Sequence, residues 1–322
     1  MSSTIWSNLD LTPSALASLE AGLGPHRLIR AAESAVANQP LGRPDPGVME
    51  ADIVVGQPEV AQCLSSPRLR FVQLSSAGFT TFDTPEARAA LTTRKVPVCI
   101  SSVVYSEPCA QHALAFLLAE ARQLPRSIRD QSTTREWNTA PTRRASFLLG
   151  IQSVLLVGFG GIAKRLSELL QPFGLEVIGF RREPRGDEEL PVYGVDELLA
   201  WLPQADIVVN TLPASDETHC FFDEAAFSTM KPGAIFLNLG RGSTVDQAAL
   251  ARALAGHLRA AYLDVTIPEP LPVEDPLWSL PNCHITPHVA GGHGDEHDRV
   301  VAHFLGNLGR YERGEPLVDR VY

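Results

Sequence analysis

The stretch "VLLVGFGGIAKRLSELL", residues 154–170, sets the fold class. An apolar run of strand length ends at Gly158, and the spacing Gly158-x-Gly160-x-x-Ala163 opens a helical pattern. Gly158 suits a tight turn, Gly160 lets backbone approach a pyrophosphate, and the small Ala163 allows close helix–strand packing. N–H groups at the helix start, aided by the dipole, favour anionic phosphates. A lone G-x-G-x-x-A is also found as a plain βα turn. Here a strand precedes it, a helix follows, and a second strand, "LEVIGF", ends about 20 residues on, as a dinucleotide fingerprint requires.

That second strand runs into "EVIGFRREPR", residues 176–185. The fingerprint places an acid at its end, where it bonds the ribose 2′-hydroxyl and repels a 2′-phosphate. This chain has Arg181 there, followed by Arg182, with Arg185 a weaker third candidate. Guanidinium groups bind phosphate through charge-assisted, often bidentate, hydrogen bonds. At about 1.5–3 kcal/mol each, two of them favour NADP by about 10²- to 10⁴-fold. Solvent exposure lowers that figure. A solvated basic loop is the plainer reading of the same residues.

Outward from this core, short apolar runs alternate with helical patterns. "HRLIR", "ADIVVG", "LRFVQL" and "VPVCI" read as strands in the first hundred residues, with helices near 58–64 and 85–93. "SVLLVG", "LEVIGF", "ADIVVN", "GAIFLN" and "RAAYLDV" continue the rhythm. Such alternation predicts α/β architecture with parallel sheets covered by helices on both faces. "EPCAQHALAFLLAEARQL", 107–124, reads as a long buried helix with Pro108 near its start; 129–146 reads as irregular; "DEHDRVVAHFLGNLGRYERG" reads as an amphipathic helix ending near Gly314.

Bulk properties bound the function. With 322 residues the chain is too long for one ordinary core. A net charge of −10 argues against nucleic acid as a partner. Five scattered cysteines without a C-x-x-C predict a reducing compartment and no metal site. The polar N-terminus lacks a signal region, and the longest apolar run, Ala113–Ala119, is too short for a membrane span. A cytoplasmic protein is expected.

Three later stretches carry candidate chemistry. "FLNLGRGSTVDQAAL" holds Arg241 just after a predicted strand, "YLDVTIPEPLP" holds Asp264 and Glu269 after the next, and "CHITPHVAGG" holds His288 beyond that. Strand carboxyl ends in a parallel sheet face the ligand crevice, so these groups are expected to gather there. Arg241 offers a planar fork for a carboxylate. His288 suits protonation of a ketone oxygen, with Glu269 orienting the imidazole and favouring its charged form. Each has a duller reading as a surface charge or a structural histidine, and His284 and His293 compete with His288.

Taken in order, the glycine loop at 158–163, "NLGRGSTVD" at 238–246, "LDVTIPEP" at 263–270 and "TPHVAG" at 286–291 resemble the D-isomer-specific 2-hydroxyacid dehydrogenase family. "SSAGF" at 75–79 and "CAQHALAFLLAEAR" at 109–122 match more loosely. The family includes glyoxylate/hydroxypyruvate reductases and 3-phosphoglycerate dehydrogenases. The resemblance implies two doubly wound parallel-sheet domains. A Rossmann nucleotide domain, 108–291, is inserted into a flavodoxin-like substrate domain made of 1–107 and 292–322. It implies a homodimer, and hydride transfer from NADPH to a small 2-oxo acid, with NAD(H) as the other cofactor.

The same resemblance implies roles for particular residues. Arg241, Glu269 and His288 are the expected catalytic set. Gly158, Gly160, Gly161, Ile162, Arg181, Arg182, Leu212, Pro213 and Asp264 are expected at the cofactor, Asp264 at the nicotinamide amide. Ser76, Ala77 and Gly78 are expected to bind the substrate carboxylate from the other domain, together with Arg241 and His288. Many family members have Glu where Gln111 stands, and "SSVVYSEP" is poorer in glycine and asparagine than the usual loop. Formate dehydrogenases share the architecture, but that subgroup has Gln at the position of Glu269. A corepressor in the family keeps the triad and works by binding, which makes a cofactor-sensing protein the alternative of another class. Arg181→Asp is expected to erode the preference for NADP; unchanged NADP and NAD kinetics in that variant would refute the assignment.

Overall fold

The computed structural model describes residues 2–35 and 43–322. The chain divides into two compact units, Met1–Tyr105 with Gly292–Tyr322, and Ser106–Gly291. Both are built on parallel sheets.

In the first unit the strands are β1 (Thr4–Leu9), β2 (Arg27–Ala35), β3 (Ile53–Gly56), β4 (Phe71–Leu74) and β5 (Val98–Cys99). Their order is β2-β1-β3-β4-β5, the flavodoxin-like arrangement. All residues of β3 and β4 are buried, as expected for strands covered on both faces. The helix Pro13–Gly22 is started by Thr12, whose hydroxyl accepts the Ala15 N–H, and by Pro13 in the first turn. The C-terminal helix Glu296–Arg313 lies beside it and buries Val300, Val301, Phe304 and Leu308. It begins with Glu296 and Asp298 and stops at Gly314, whose φ of 68° suits glycine. Buried Asn307 donates to Gln73 Oε1 at 2.9 Å and to Val318 O at 2.9 Å, tying this helix to β4 and to the chain end.

The second unit contains β6 (Ser153–Val157), β7 (Glu176–Arg181), β8 (Val192–Gly194), β9 (Ile207–Asn210), β10 (Ile235–Asn238), β11 (Ala260–Leu263) and β12 (Cys283–Ile285). The order β12-β11-β10-β9-β6-β7-β8 reverses direction between β6 and β9. That is the Rossmann switch point with one further strand at the edge. Phe222, Phe227 and Phe236 meet edge to face or tilted, with centroids 4.9–6.1 Å apart, in the core on one side of the sheet.

The structure departs from the sequence expectation in several places. Strands β1, β8 and β12 add to those anticipated. The long helix runs Ser102–Ala121, so "SSVVYSEP" is helical from its second residue and Pro108 lies inside the helix. Its first turn is held from afar: the Asp319 carboxylate accepts the Val103 N–H at 2.8 Å. Pro108 then forfeits the one intrahelical bond its missing N–H would have made. The stretch expected to be irregular contains the end of one helix, Leu124–Ser132, and a second, Thr139–Ala145. Pro125 falls in the first turn of the former, where proline is tolerated. Among the described residues no helix is long and apolar enough to cross a membrane.

Candidate active site

The second unit brings Arg241, Glu269 and His288 together from the ends of three strands. His288 Nδ1 lies 2.8 Å from Glu269 Oε2. Glu269 Oε1 accepts the Thr266 N–H at 3.0 Å, which fixes the carboxylate on its own loop. Burial pushes the Glu269 pKa up, but the bonds from His288 and Thr266, with the charges of His288 and Arg241, hold it below the usual carboxylate range. Arg241 is lowered chiefly by burial, against the opposing pull of Glu269. The three side chains therefore share one electrostatic neighbourhood.

Buried asparagines shape the Arg241 loop. Asn210, at the end of β9, donates to Asn238 Oδ1 at 3.0 Å and to Thr244 Oγ1 at 2.7 Å. Asn238 Nδ2 and the Thr244 hydroxyl both donate to the Arg241 carbonyl, at 3.2 and 2.7 Å. Gly242 packs against the 266–267 backbone: a Cβ there would sit 1.9 Å from Thr266 O. The Arg241 and Glu269 loops thus interlock through main chain.

Asp264 holds the His288 loop. Its side chain is buried, and its oxygens accept the Thr286 hydroxyl at 2.7 Å, the Val289 N–H at 2.9 Å and the Ala290 N–H at 3.0 Å. The His288 N–H reaches the Asp264 carbonyl at 2.8 Å. His288 itself has φ of 52°, a left-handed conformation that costs a non-glycine residue about 1–3 kcal/mol. These bonds over-determine the strained backbone. His112 Nε2 lies 3.2 Å from the Thr286 hydroxyl, behind the same group.

The glycine loop has the shape a pyrophosphate requires. Gly158 has φ of 90°, and a Cβ would lie 2.8 Å from Leu212 N. At Gly160 a Cβ would meet nothing nearer than 3.8 Å, leaving approach room. Gly160 begins the helix Gly161–Leu170 without a side-chain cap, so Gly161 and Ile162 present the helix start. Ala163 is buried. Leu212 and Pro213 follow β9; the Leu212 N–H bonds Asn210 Oδ1 at 3.1 Å, and Pro213 O accepts the Thr218 hydroxyl at 2.6 Å. Arg181 ends β7 and lines a cleft of about 340 Å³ with Gly160, Gly161, Lys164 and Arg185. Arg182 is exposed and ion-paired with Glu217. These features fit a bound dinucleotide.

Comparison with known proteins agrees with this geometry. Residues 114–290 match the family described as D-isomer specific 2-hydroxyacid dehydrogenase, NAD binding domain. A glyoxylate/hydroxypyruvate reductase B from Klebsiella pneumoniae is 33% identical over 248 residues, 75% of each chain. The chain belongs to the D-isomer specific 2-hydroxyacid dehydrogenase family. Two solved members superpose on it with TM-scores of 0.79. One, from Aeromonas salmonicida, is 29% identical and covers 100% of this chain and 99% of its own. The other, from Xanthobacter autotrophicus and in complex with NADPH and MES, is 26% identical and covers 100% and 98%.

Within this dehydrogenase framework the competing histidines separate. His284 lies in β12, stacked on Tyr262 with centroids 4.6 Å apart, and burial lowers its pKa. His293 belongs to the other unit. Cys109 sits in the field of Asp264 and Arg241, and burial pushes its thiol up to about 12, so it stays protonated and is no nucleophile. In the first unit, Ser76, Ala77 and Gly78 form a half-buried loop after β4. Gln57 Nε2 donates to the Ser75 and Ser76 hydroxyls, both at 3.0 Å, and the Ser76 hydroxyl donates to Gly78 O at 2.6 Å. The Tyr105 hydroxyl lies 2.8 Å from Ser75 O and 3.0 Å from Glu296 Oε1. Sequence reading missed Asn210, Asn238 and Thr286 as organisers. For Asn210 and Asn238, a polar residue at the end of an apolar run was the available signal.

Gly242→Ala tests the interlock. Its methyl group would collide with backbone rather than a flexible side chain, so a loss of about 1–3 kcal/mol or more is expected, with a fall in turnover as Glu269 is displaced. An unchanged urea midpoint with unchanged kcat would show that the two loops do not constrain each other.

Proposed function

We propose that this chain reduces a small 2-oxo acid of the glyoxylate or hydroxypyruvate type to the D-2-hydroxy acid, preferring NADPH. The observation that carries the reading is the 2.8 Å contact between His288 Nδ1 and Glu269, with Arg241 acting on the same carboxylate. NADPH, when bound, supplies the hydride. Glu269 remains ionised at neutral pH and orients the imidazole through Nδ1. Proton delivery to the ketone oxygen then falls to Nε2 of His288. Arg241 grips the substrate carboxylate through its planar fork. Asp264 positions His288 by holding the loop that carries it, and its buried carboxylate is already occupied by that task. Formate carries no ketone to protonate, so a His–Glu pair favours a hydroxy-acid substrate. Arg181, in the cleft beside the glycine loop, supports the preference for a 2′-phosphorylated cofactor.

The protein acts as a homodimer through its second unit. Exposed apolar side chains recur along residues 128–151: Ile128, Trp137 (96% exposed), Leu148 and Ile151. A group of this kind favours burial against another surface.

Oxidation of NADPH with glyoxylate, hydroxypyruvate and larger 2-oxo acids tests the reaction. Turnover with a short 2-oxo acid is expected, falling about 10²- to 10⁴-fold in His288→Ala. Tight NADPH binding without turnover on any of these acids would favour the cofactor-sensing alternative. Sedimentation velocity should give a dimer that dissociates in Ile151→Asp; a monomeric native protein would overturn the assembly.

A further inference from the structure

Glu188 is bound in the manner of a phosphate. Its Oε1 accepts the Arg185 N–H at 2.9 Å and its Oε2 the Gly186 N–H at 2.8 Å. Oε1 also lies 3.5 Å from Arg181 Nη1. The side chain is 9% exposed, although residues 182–187 around it are all exposed. Two neighbouring backbone N–H groups and a guanidinium form an anion-binding concavity. The Arg185 N–H, with help from Gly186 and Arg181 and against burial, holds the carboxyl below its ordinary range, so the seat holds a charged group at neutral pH. Glu188 lines the same cleft as Gly160, Gly161, Lys164, Arg181 and Arg185.

We propose that Glu188 is an internal occupant of the seat for the cofactor's 2′-phosphate, and thereby a residue that sets the choice between NADP and NAD. This rests on the reading of Arg181 as the phosphate-selecting residue. A phosphate monoester carries about 1.5–2 negative charges at pH 7. It cannot share the guanidinium and both N–H groups with a carboxylate. NADP binding must therefore move Glu188 out of the nest. NAD has no 2′-phosphate and does not require that displacement. Glu188 holds NADP affinity down and leaves NAD affinity alone, so the cleft discriminates less than its arginines would with the seat open.

The test is calorimetric titration of the full chain with 2′,5′-ADP, 5′-AMP, NADP and NAD. Native protein is compared with Glu188→Gln, Glu188→Ala and Arg181→Asp, each checked for native circular dichroism. The dissociation constants for 2′,5′-ADP and NADP are expected to fall about 10-fold in the two Glu188 variants, the equivalent of one charge-assisted contact. Those for 5′-AMP and NAD should stay within about 2-fold. Unchanged or weaker binding of the 2′-phosphorylated ligands in both Glu188 variants overturns the proposal, even where Arg181→Asp abolishes their preference. Native protein that binds 2′,5′-ADP no better than 5′-AMP, with Arg181→Asp and both Glu188 variants without effect, overturns it together with the NADP reading beneath it.

Discussion

Asp264 is 3% exposed, and its carboxylate takes hydrogen bonds from a hydroxyl and two backbone N–H groups. Burying such a charge is costly unless hydrogen bonds replace its water. Bonds to a charged group are worth about 1.5–3 kcal/mol each, so three of them offset much of that cost. They also bring an order that water would not impose. Val289 and Ala290 directly follow His288, so the carboxylate fixes the chain just beyond the imidazole. The Asp264 carbonyl fixes the N–H of His288 itself. One residue at the end of β11 thus dictates a left-handed backbone that His288 would not adopt alone.

The same logic extends sideways along the sheet. Asn210, Asn238 and Asp264 stand at or just beyond the ends of β9, β10 and β11, three adjacent parallel strands. Each is buried, and each uses its side chain to hold a loop rather than to meet solvent. Asn210 and Asn238 hold the turn that carries Arg241. Gly242, in that turn, touches the backbone of Thr266, whose N–H holds Glu269. The pairing of Glu269 with His288 is therefore framed by main-chain contacts on both sides. A 2.8 Å contact between two partly exposed side chains would otherwise be weak evidence of a built site.

Legibility followed the length of apolar runs. β6, β7, β9, β10 and β11 are continuous enough to be seen, and the glycine loop marks the first of them. β8 and β12 have three residues each and no fully apolar run, so periodicity cannot find them. β1 was hidden because Ser7 and Asn8 make "TIWSNL" look polar, yet both are buried. The early start of the helix at Ser102 depends on Asp319, more than two hundred residues away in sequence. Local propensity carries no trace of such a partner. His284 stacks on the ring of Tyr262, whereas His288 faces the carboxylate of Glu269. Residue type cannot separate them, and geometry does so at once.

If the cleft takes a 2′-phosphate as proposed, counting arginines overstates its selectivity, because Glu188 already sits against Arg181. In the sequence, Arg181 and Arg182 read as open to a phosphate, each adding its full hydrogen-bond strength. In the structure both already face carboxylates, Arg181 toward Glu188 and Arg182 toward Glu217. What a phosphate gains is then a difference between two anionic partners rather than the replacement of water by an anion. For Arg182, where both partners are exposed, the existing pair is worth only about 0–1 kcal/mol and yields readily. For Arg181 the partner is almost wholly sheltered and is held by two N–H groups as well, so an exchange would be resisted. A chain carrying ten net negative charges supplies such internal competitors freely, and the strength of a basic cleft depends on how firmly each one is seated.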